Sequence, residues 1–515
     1  MPPVSRTPSP RRSAPSSPSR NHTRHQNTRE TVRPRRESPW PAPSLLLPPL
    51  SQDAGRLLEI LSQALAAVRP LRAAHRKALP RDIAMLSRLL TVDRADLRYP
   101  YWGAPGLSSA YIHYFLPWNI LRLTRLLMRL PLPDPRLWLE RGLRPLLLDA
   151  GSGPLTLPLA LWLARPDWRP LPLHVLALDT ASLPLDVGRD LLRSWAGLSG
   201  QPLAWTISMA RGPLEHMPRH AARLRRERRE DGTPSIWMIG AANVLNELYG
   251  KGTEQTAAAE EEALPGGEEN TAVTGRLSGV LDALAPLLRE GPEGDGAPAP
   301  AALFVEPGTR LGGKTIMRLR TLALEGGLSA LAPCTHDNPC PLLARRRRGW
   351  CHFTFDSDGA PSWLRALSGQ AGLAKNSLSL APLLLIPDGK ALSRPPDGAR
   401  VLSAPFSVPG MRGEARYACA AAGLLLLERA ESLPSGSLLP CGIPEHAAVD
   451  ARSGSLIVPA PDGGRERRPL ENDQPMRPQP RSRETPRNGD AATQRRKRPT
   501  AGRGRPGAPF SPKKR

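Results

Sequence analysis

Between Leu146 and Asp179 the chain reads strand, glycine turn, helix, strand and acid, an order that few folds accommodate. Leu146-Leu-Leu-Asp149 is a short apolar run closed by a carboxylate, the pattern of a parallel strand buried on both faces. Ala150-Gly-Ser-Gly-Pro-Leu-Thr156 supplies the turn, Leu155 to Ala164 a helix, and His174 to Asp179 the next strand. Glycines let a ligand approach the backbone and the NH groups that open the helix. A carboxylate at the end of the second strand can accept hydrogen bonds from both hydroxyls of a ribose. The residue three after Gly153 is Thr156, so the phosphate-type G-x-G-x-x-G is absent. That disfavours a dinucleotide and suits a nucleoside cofactor without phosphate. An ordinary crossover with no ligand is the plain alternative.

The alternation continues with strands at Leu203–Ser208, Ser235–Ile239 and Leu303–Val305, and helices from Asn243 and from Arg276 to Leu288. Such a series predicts an α/β fold around a mostly parallel sheet. Ahead of it, Leu57, Leu58, Ile60, Leu61, Leu65 and Val68 recur at helical steps until Pro70, and Ile83, Leu86, Leu89 and Leu90 mark a second helix. Tyr99, Tyr101, Trp102, Tyr111, Tyr114, Phe115 and Trp118 then gather in one segment. They serve either as packing between helices and the next domain or, with Arg122 and Arg125, as a base-stacking surface. After Phe355 a helix near Ser362–Leu367 and strands near Leu378, Arg400, Ala415 and Leu424 predict a β-containing end.

Three of five cysteines stand in a C-x5-C-x10-C array at Cys334, Cys340 and Cys351; Cys419 follows and Cys441 is left over. Four thiolates complete a zinc shell or hold an iron-sulfur cluster, and Pro333, Pro339 and Pro341 stiffen the loop in advance. The competing reading is that the cysteines are small buried hydrophobes, which the polar Thr335, His336, Asp337 and Asn338 argue against for the first pair. His336 and His352 are candidate ligands, though a polar loop histidine more often supports ligands than joins them.

The 515 residues hold 61 prolines and carry a net charge of +24, and these decide two points. Much of the chain is too proline-rich for one compact fold, and the charge calls for a polyanionic partner, nucleic acid first. No apolar run is long enough to span a bilayer, and few, scattered cysteines fit a reducing compartment. No apolar segment follows the basic amino end as a secretory signal would; the Arg/Ser-rich start resembles an organellar transit peptide, but its prolines would break the helix. The Arg223–Arg229 run is either a solvated helix face or an RNA contact.

SSAYIHYFLPWN (Ser108–Asn119), LLDAGSGP (Leu147–Pro154), ANVLNEL (Ala242–Leu248), VEPGT (Val305–Thr309), APCTHDNPCPL (Ala332–Leu342) and WCHF (Trp350–Phe353) together resemble a known family. It comprises methyltransferase-like proteins associated with the small subunit of mitochondrial ribosomes, and their bacterial relatives. The resemblance implies a class I (Rossmann-like) S-adenosylmethionine-dependent methyltransferase fold, with an N-terminal helical cap, a cysteine-loop metal insertion and a small β-containing C-terminal part. It implies S-adenosyl-L-methionine on Asp149, Gly151, Ser152, Gly153, Asp179 and Asn243. It also implies a 4Fe-4S cluster on Cys334, Cys340, Cys351 and Cys419, zinc being the alternative. Small-subunit ribosomal RNA is the implied partner. A monomer in the bacterial cytoplasm is expected, the mitochondrion being the alternative location. The family commonly has a further glycine where this chain has Leu155, which would crowd the methionine end of the cofactor.

The expected organisation is a disordered basic arm at 1–50, a helical cap at 51–135 and an α/β domain at 136–355. That domain includes a flexible acidic insertion at 251–275 and the cysteine loop at 326–355. A β-containing part at 356–445 carries the fourth cysteine, and a disordered basic tail spans 446–515. No catalytic base stands out. Asn243, Asn246 and Glu247, where an amino methyltransferase would show N-P-P-Y, either orient an acceptor or cap a helix. The two functional expectations are an RNA methyltransferase and a non-catalytic small-subunit assembly factor.

Overall fold

The computed structural model describes residues 40–91, 101–227, 232–245, 269–292, 294, 297–343, 349–389 and 398–461. Most of the basic arm, the tail from 462, Tyr99, Asn246, Glu247, the start of the acidic insertion and the arginines at 345–348 lie outside these.

Helices Gln52–Val68 and Ala73–Leu90 come first. Ser51 caps the first, accepting from the Ala54 NH at 3.2 Å, and Leu57, Leu58, Leu61 and Leu65 form its buried stripe. The Trp195 indole donates to the Leu57 carbonyl at 2.9 Å, fixing this helix to Ser182–Ser199. Helical backbone then runs from Pro105 to Leu127, with a π turn at Tyr111–Phe115. Pro117 accounts for the irregularity: it has no NH to return to the preceding turn, and its ring crowds the carbonyl there.

The central sheet is built from β2 (Arg144–Ala150), β3 (His174–Asp179), β4 (Thr206–Arg211), β5 (Pro234–Ala242), β6 (Ala301–Pro307), β7 (Leu328–Ala332) and β9 (Ser377–Pro387), after β1 (Ser44–Leu45) in the chain. Its order is β4-β3-β2-β5-β6-β9-β7, with β8 (Phe353–Asp356) paired to the first half of β9. All neighbours are parallel except along β9, which runs antiparallel to β6, β7 and β8. Counting this path in chain order gives 3-2-1-4-5-7-6 with the seventh strand reversed, the arrangement of class I methyltransferases. Strand order turns round between β2 and β5, the point where open α/β sheets bind ligands at their carboxyl ends.

A second sheet comprises β10 (Ala399–Val401), β11 (Phe406–Ser407), β12 (Glu414–Ala420), β13 (Gly423–Leu427), β14 (Ser437–Leu439) and β15 (Leu456–Val458), in the order β1-β14-β10-β12-β13-β15 with β11 beside β12. Three expectations are corrected by these sheets. The strand at Leu378 belongs to the central sheet: β9 is buried along most of its length, as befits a strand covered on both faces. Residues 40–50, assigned to the basic arm, include buried Trp40, Leu46 and Leu47, and β1 pairs with β14. The C-terminal sheet also runs past 445, since β15 pairs with β13.

Candidate cofactor crevice and cysteine cavity

The carboxyl ends of β2 and β3 place Asp149 and Asp179 on either side of the glycine turn. Asp149 is buried and accepts from the Ser152 hydroxyl at 2.5 Å. Burial raises its carboxyl to about 7; the Ser152 hydrogen bond lowers it, and the charge of Asp179 adds to the rise. Asp179 accepts from the Gly153 NH at 2.8 Å and from the Ala181 NH at 2.9 Å, locking the turn to the second strand. Gly151 has φ +65°, and a Cβ there would stand 2.3 Å from Val244 Cγ2, so both conformation and space require glycine.

Leu155 also lies in the left-handed region, at φ 53°, and its side chain is fully buried. Its Cδ1 would stand 2.8 Å from a Cβ on Gly188, within helix Ser182–Ser199. The side chain is therefore packed into the helix-facing core, contrary to the expected crowding of the methionine end. Asn243 follows β5 with φ 60°, its NH donating to the Val305 carbonyl at 2.8 Å. Beside it is a residue to which sequence reasoning gave no role. Glu306, fully buried at the end of β6, accepts from the Leu245 NH at 2.8 Å and so shapes the loop after β5. An acid ending an apolar strand was its only signal.

The aromatic segment divides. Tyr114 and Trp118 are core, with hydrogen bonds to the Leu373 carbonyl at 3.1 Å and the Ser368 hydroxyl at 3.3 Å. Tyr101, Trp102, Tyr111 and Phe115 form a half-buried ladder, with Tyr101 and Tyr111 stacked at 5.3 Å. Arg122 donates to Asn119 and to the Ser379 carbonyl. Burial lowers its guanidinium to about 10, while Tyr111 and Glu306 raise it. Arg125 is buried and donates to carbonyls of Leu47, Pro48 and Asp356, which fits the packing alternative and not the base-stacking one. In the basic run, Arg223 pairs with Glu227 and Arg225 with Glu290, as a solvated helix face does.

Cys334, Cys340, Cys351 and Cys419 line one cavity, together with Arg320, Arg400, Met317 and Phe353. Cys419 reaches it from β12, directly across the ladder from Arg400 of β10. Gly313 permits the approach of the loop, since a Cβ would stand 2.4 Å from Trp350 Cδ1 and 2.7 Å from the Cys351 carbonyl. Trp350 donates to the Gly308 carbonyl at 3.1 Å, tying the array to the end of β6. Burial raises the thiols of Cys334, Cys351 and Cys419; in all three neighbouring cysteines add to the rise, and Arg320 opposes it. His336 Nε2 lies 3.5 Å from Cys419 Sγ, whereas His352 stacks on Trp350 at 5.0 Å. Cys441 packs apart, against the core of the second sheet. Among the described residues no three His, Cys, Asp or Glu side chains are grouped as a ready shell for a metal ion. The thiols share a cavity without closing on one point.

Residues 296–360 match the family model described as "Mitochondrial small ribosomal subunit Rsm22". The match covers β6, β7, β8 and the first three cysteines. No curated protein sequence matches the chain. Similar solved structures include a provisionally described RNA methyltransferase from Pyrococcus horikoshii, at 10% identity and TM-score 0.23, covering 53% of this chain and 87% of that one. Another is an S-adenosylmethionine-dependent methyltransferase from Geobacter sulfurreducens in complex with S-adenosyl-L-homocysteine, at 12% identity and TM-score 0.22, covering 52% and 98%. An arsenic(III) methyltransferase from Chlamydomonas reinhardtii stands at 10% and 0.21, covering 53% and 76%.

Proposed function

We propose that the protein is an S-adenosylmethionine-dependent methyltransferase-like factor of the small ribosomal subunit, with ribosomal RNA as its partner and a four-cysteine metal centre as its staple. The observation carrying the cofactor reading is the 3-2-1-4-5-7-6 sheet with Asp149, the Gly151–Gly153 turn and Asp179 at its switch point. Bound there, the cofactor supplies an electrophilic methyl group on a sulfonium. The chain's own part is to orient. Asp179 retains lone pairs for ribose hydroxyls after accepting two backbone NH groups, and the turn offers a side-chain-free approach. Transfer then depends on holding an acceptor in line, and positioning supplies much of the rate. The matched family's description supports the ribosomal partner, and supports the mitochondrial location over the bacterial cytoplasm.

The donor set fits a metal centre. Four thiols from two separate segments line one cavity, and burial makes those of Cys334, Cys351 and Cys419 hard to ionise without positive charge. Cys334, Cys340, Cys351 and Cys419 would hold zinc or an iron-sulfur cluster, whose positive charge would favour the thiolates. The non-catalytic alternative rests on the absence of an N-P-P-Y acceptor motif at the end of β5, where the chain reads Gly240-Ala-Ala-Asn243-Val244.

Calorimetry with S-adenosylmethionine and S-adenosylhomocysteine on anaerobically purified protein tests the enzyme reading; it expects saturable binding that Asp179→Ala abolishes. No detectable binding would leave the assembly-factor reading. Iron, sulfide and zinc analysis tests the centre, and Cys340→Ser is expected to lose the metal and lower the melting temperature.

A further inference from the structure

Among the described residues, two arginines beside the cysteine cavity have no acidic partner. Arg320, on helix Arg310–Glu325, is 3% exposed, and Arg400, on β10, is 6% exposed; both line the cavity. Among the described residues neither forms an ion pair with a carboxylate. Their hydrogen bonds go to carbonyl oxygens: Arg320 to His336 and Asn338 at 2.7 and 3.0 Å, Arg400 to Pro333 and Gly436 at 3.0 and 2.9 Å. Among the described residues Arg320 Nε is buried with no hydrogen-bond partner, while the Arg320 side chain approaches that of Cys334. Carbonyl dipoles hold a guanidinium in place but do not cancel its charge, and burying two such charges costs several kcal/mol each, on the order of the usual desolvation penalty.

We infer that Arg320 and Arg400 are the counter-charges of an anionic tetrathiolate centre, and that this pair sets how firmly the centre is held. The inference rests on the metal-centre reading above. Four thiolates around a zinc ion, or around an oxidised four-iron cluster, carry two net negative charges, the number the two guanidinium groups neutralise. The placement also divides the work. Arg320 belongs to the methyltransferase domain and grips the loop between the first two cysteines. Arg400 belongs to the second sheet and grips the residue just before Cys334. Removing either charge makes thiolate formation harder, so protons compete better with the metal.

The test uses full-length protein purified anaerobically, and the same chain loaded with zinc alone. Metal content is followed against pH, and release to a chelator against time, for wild type, Arg320→Gln, Arg400→Gln and Arg400→Lys. Each glutamine variant is expected to release metal about 10- to 100-fold faster and to lose half of it at a higher pH. Arg400→Lys keeps the charge and is expected to stay near wild type in the pH of half-loss. It also serves if Arg400→Gln fails to fold. A lysine variant shifted as far as the glutamine variant, or glutamine variants with wild-type release and pH profile, would overturn the assignment. If wild type holds neither iron nor zinc, the centre itself is refuted and the counter-charge role with it.

Discussion

At the scale of single residues, the crevice is held by groups kept in uncomfortable states. Asp149 is the clearest. Its carboxyl titrates at about 7 in the native protein against an ordinary 3.8, because it is buried. The unfolded chain releases that proton first, so stability falls as pH rises from about 4 to about 7. Asp149→Asn removes the falling limb and should be more stable than wild type at pH 8, with a ceiling of roughly 4 kcal/mol, and gain little at pH 4. Urea unfolding at the two pH values checks this; a difference that did not change with pH would contradict it. Leu155 is a second case. Leu155→Gly relieves a left-handed φ but removes a fully buried side chain. Cavity formation outweighs the relief, giving a net loss of about 1–3 kcal/mol with no gain in cofactor affinity. Thermal melting and calorimetry on the same variant decide it.

At the scale of elements, the cysteine loop is a clamp rather than a free insertion. Helix Arg310–Glu325 carries Gly313 against Trp350 and Cys351, and Arg320 against the loop carbonyls. Trp350 passes the contact to Gly308 at the end of β6, two residues past Glu306, which shapes the loop carrying Asn243. Gly313→Ala should force this stack apart, costing about 1–3 kcal/mol and speeding metal release. Unchanged melting and release would show that Trp350 yields without consequence.

At the scale of the whole molecule, the chain from Trp40 to Ala460 is tied together by buried arginines. Arg125 joins the segment before the first helix to the central sheet, through Leu47, Pro48 and the carboxylate of Asp356 at 2.8 Å, with its guanidinium 4.6 Å from the Phe355 ring. Arg125→Met strands buried carbonyls and should cost about 3–5 kcal/mol, read by urea unfolding. On the proposed metal-centre reading, metal removal should raise amide exchange in 399–458 far more than in β2 and β3, since Cys419 and Arg400 link that sheet to the cavity. Equal exchange in both regions would remove the stapling role.

Local pattern determined a good deal of this. Apolar runs ended by acids fixed the strands at Asp149 and Asp179, glycines fixed the turn, and leucine spacing fixed the helices that open the fold, because each depends on neighbours a few residues away. The cysteine spacing made a common site for Cys334, Cys340 and Cys351 legible for the same reason. What only the tertiary structure decided involves partners far apart in the chain. β9 lies between β6 and β7, β1 completes a sheet made almost wholly from the other end, and Leu155 turns towards Gly188. Arg125 reads as a candidate for a base-stacking surface, and Arg320 and Arg400 have no role, until packing buries them. A charge is priced by what surrounds it in space, and no periodicity along the chain carries that information.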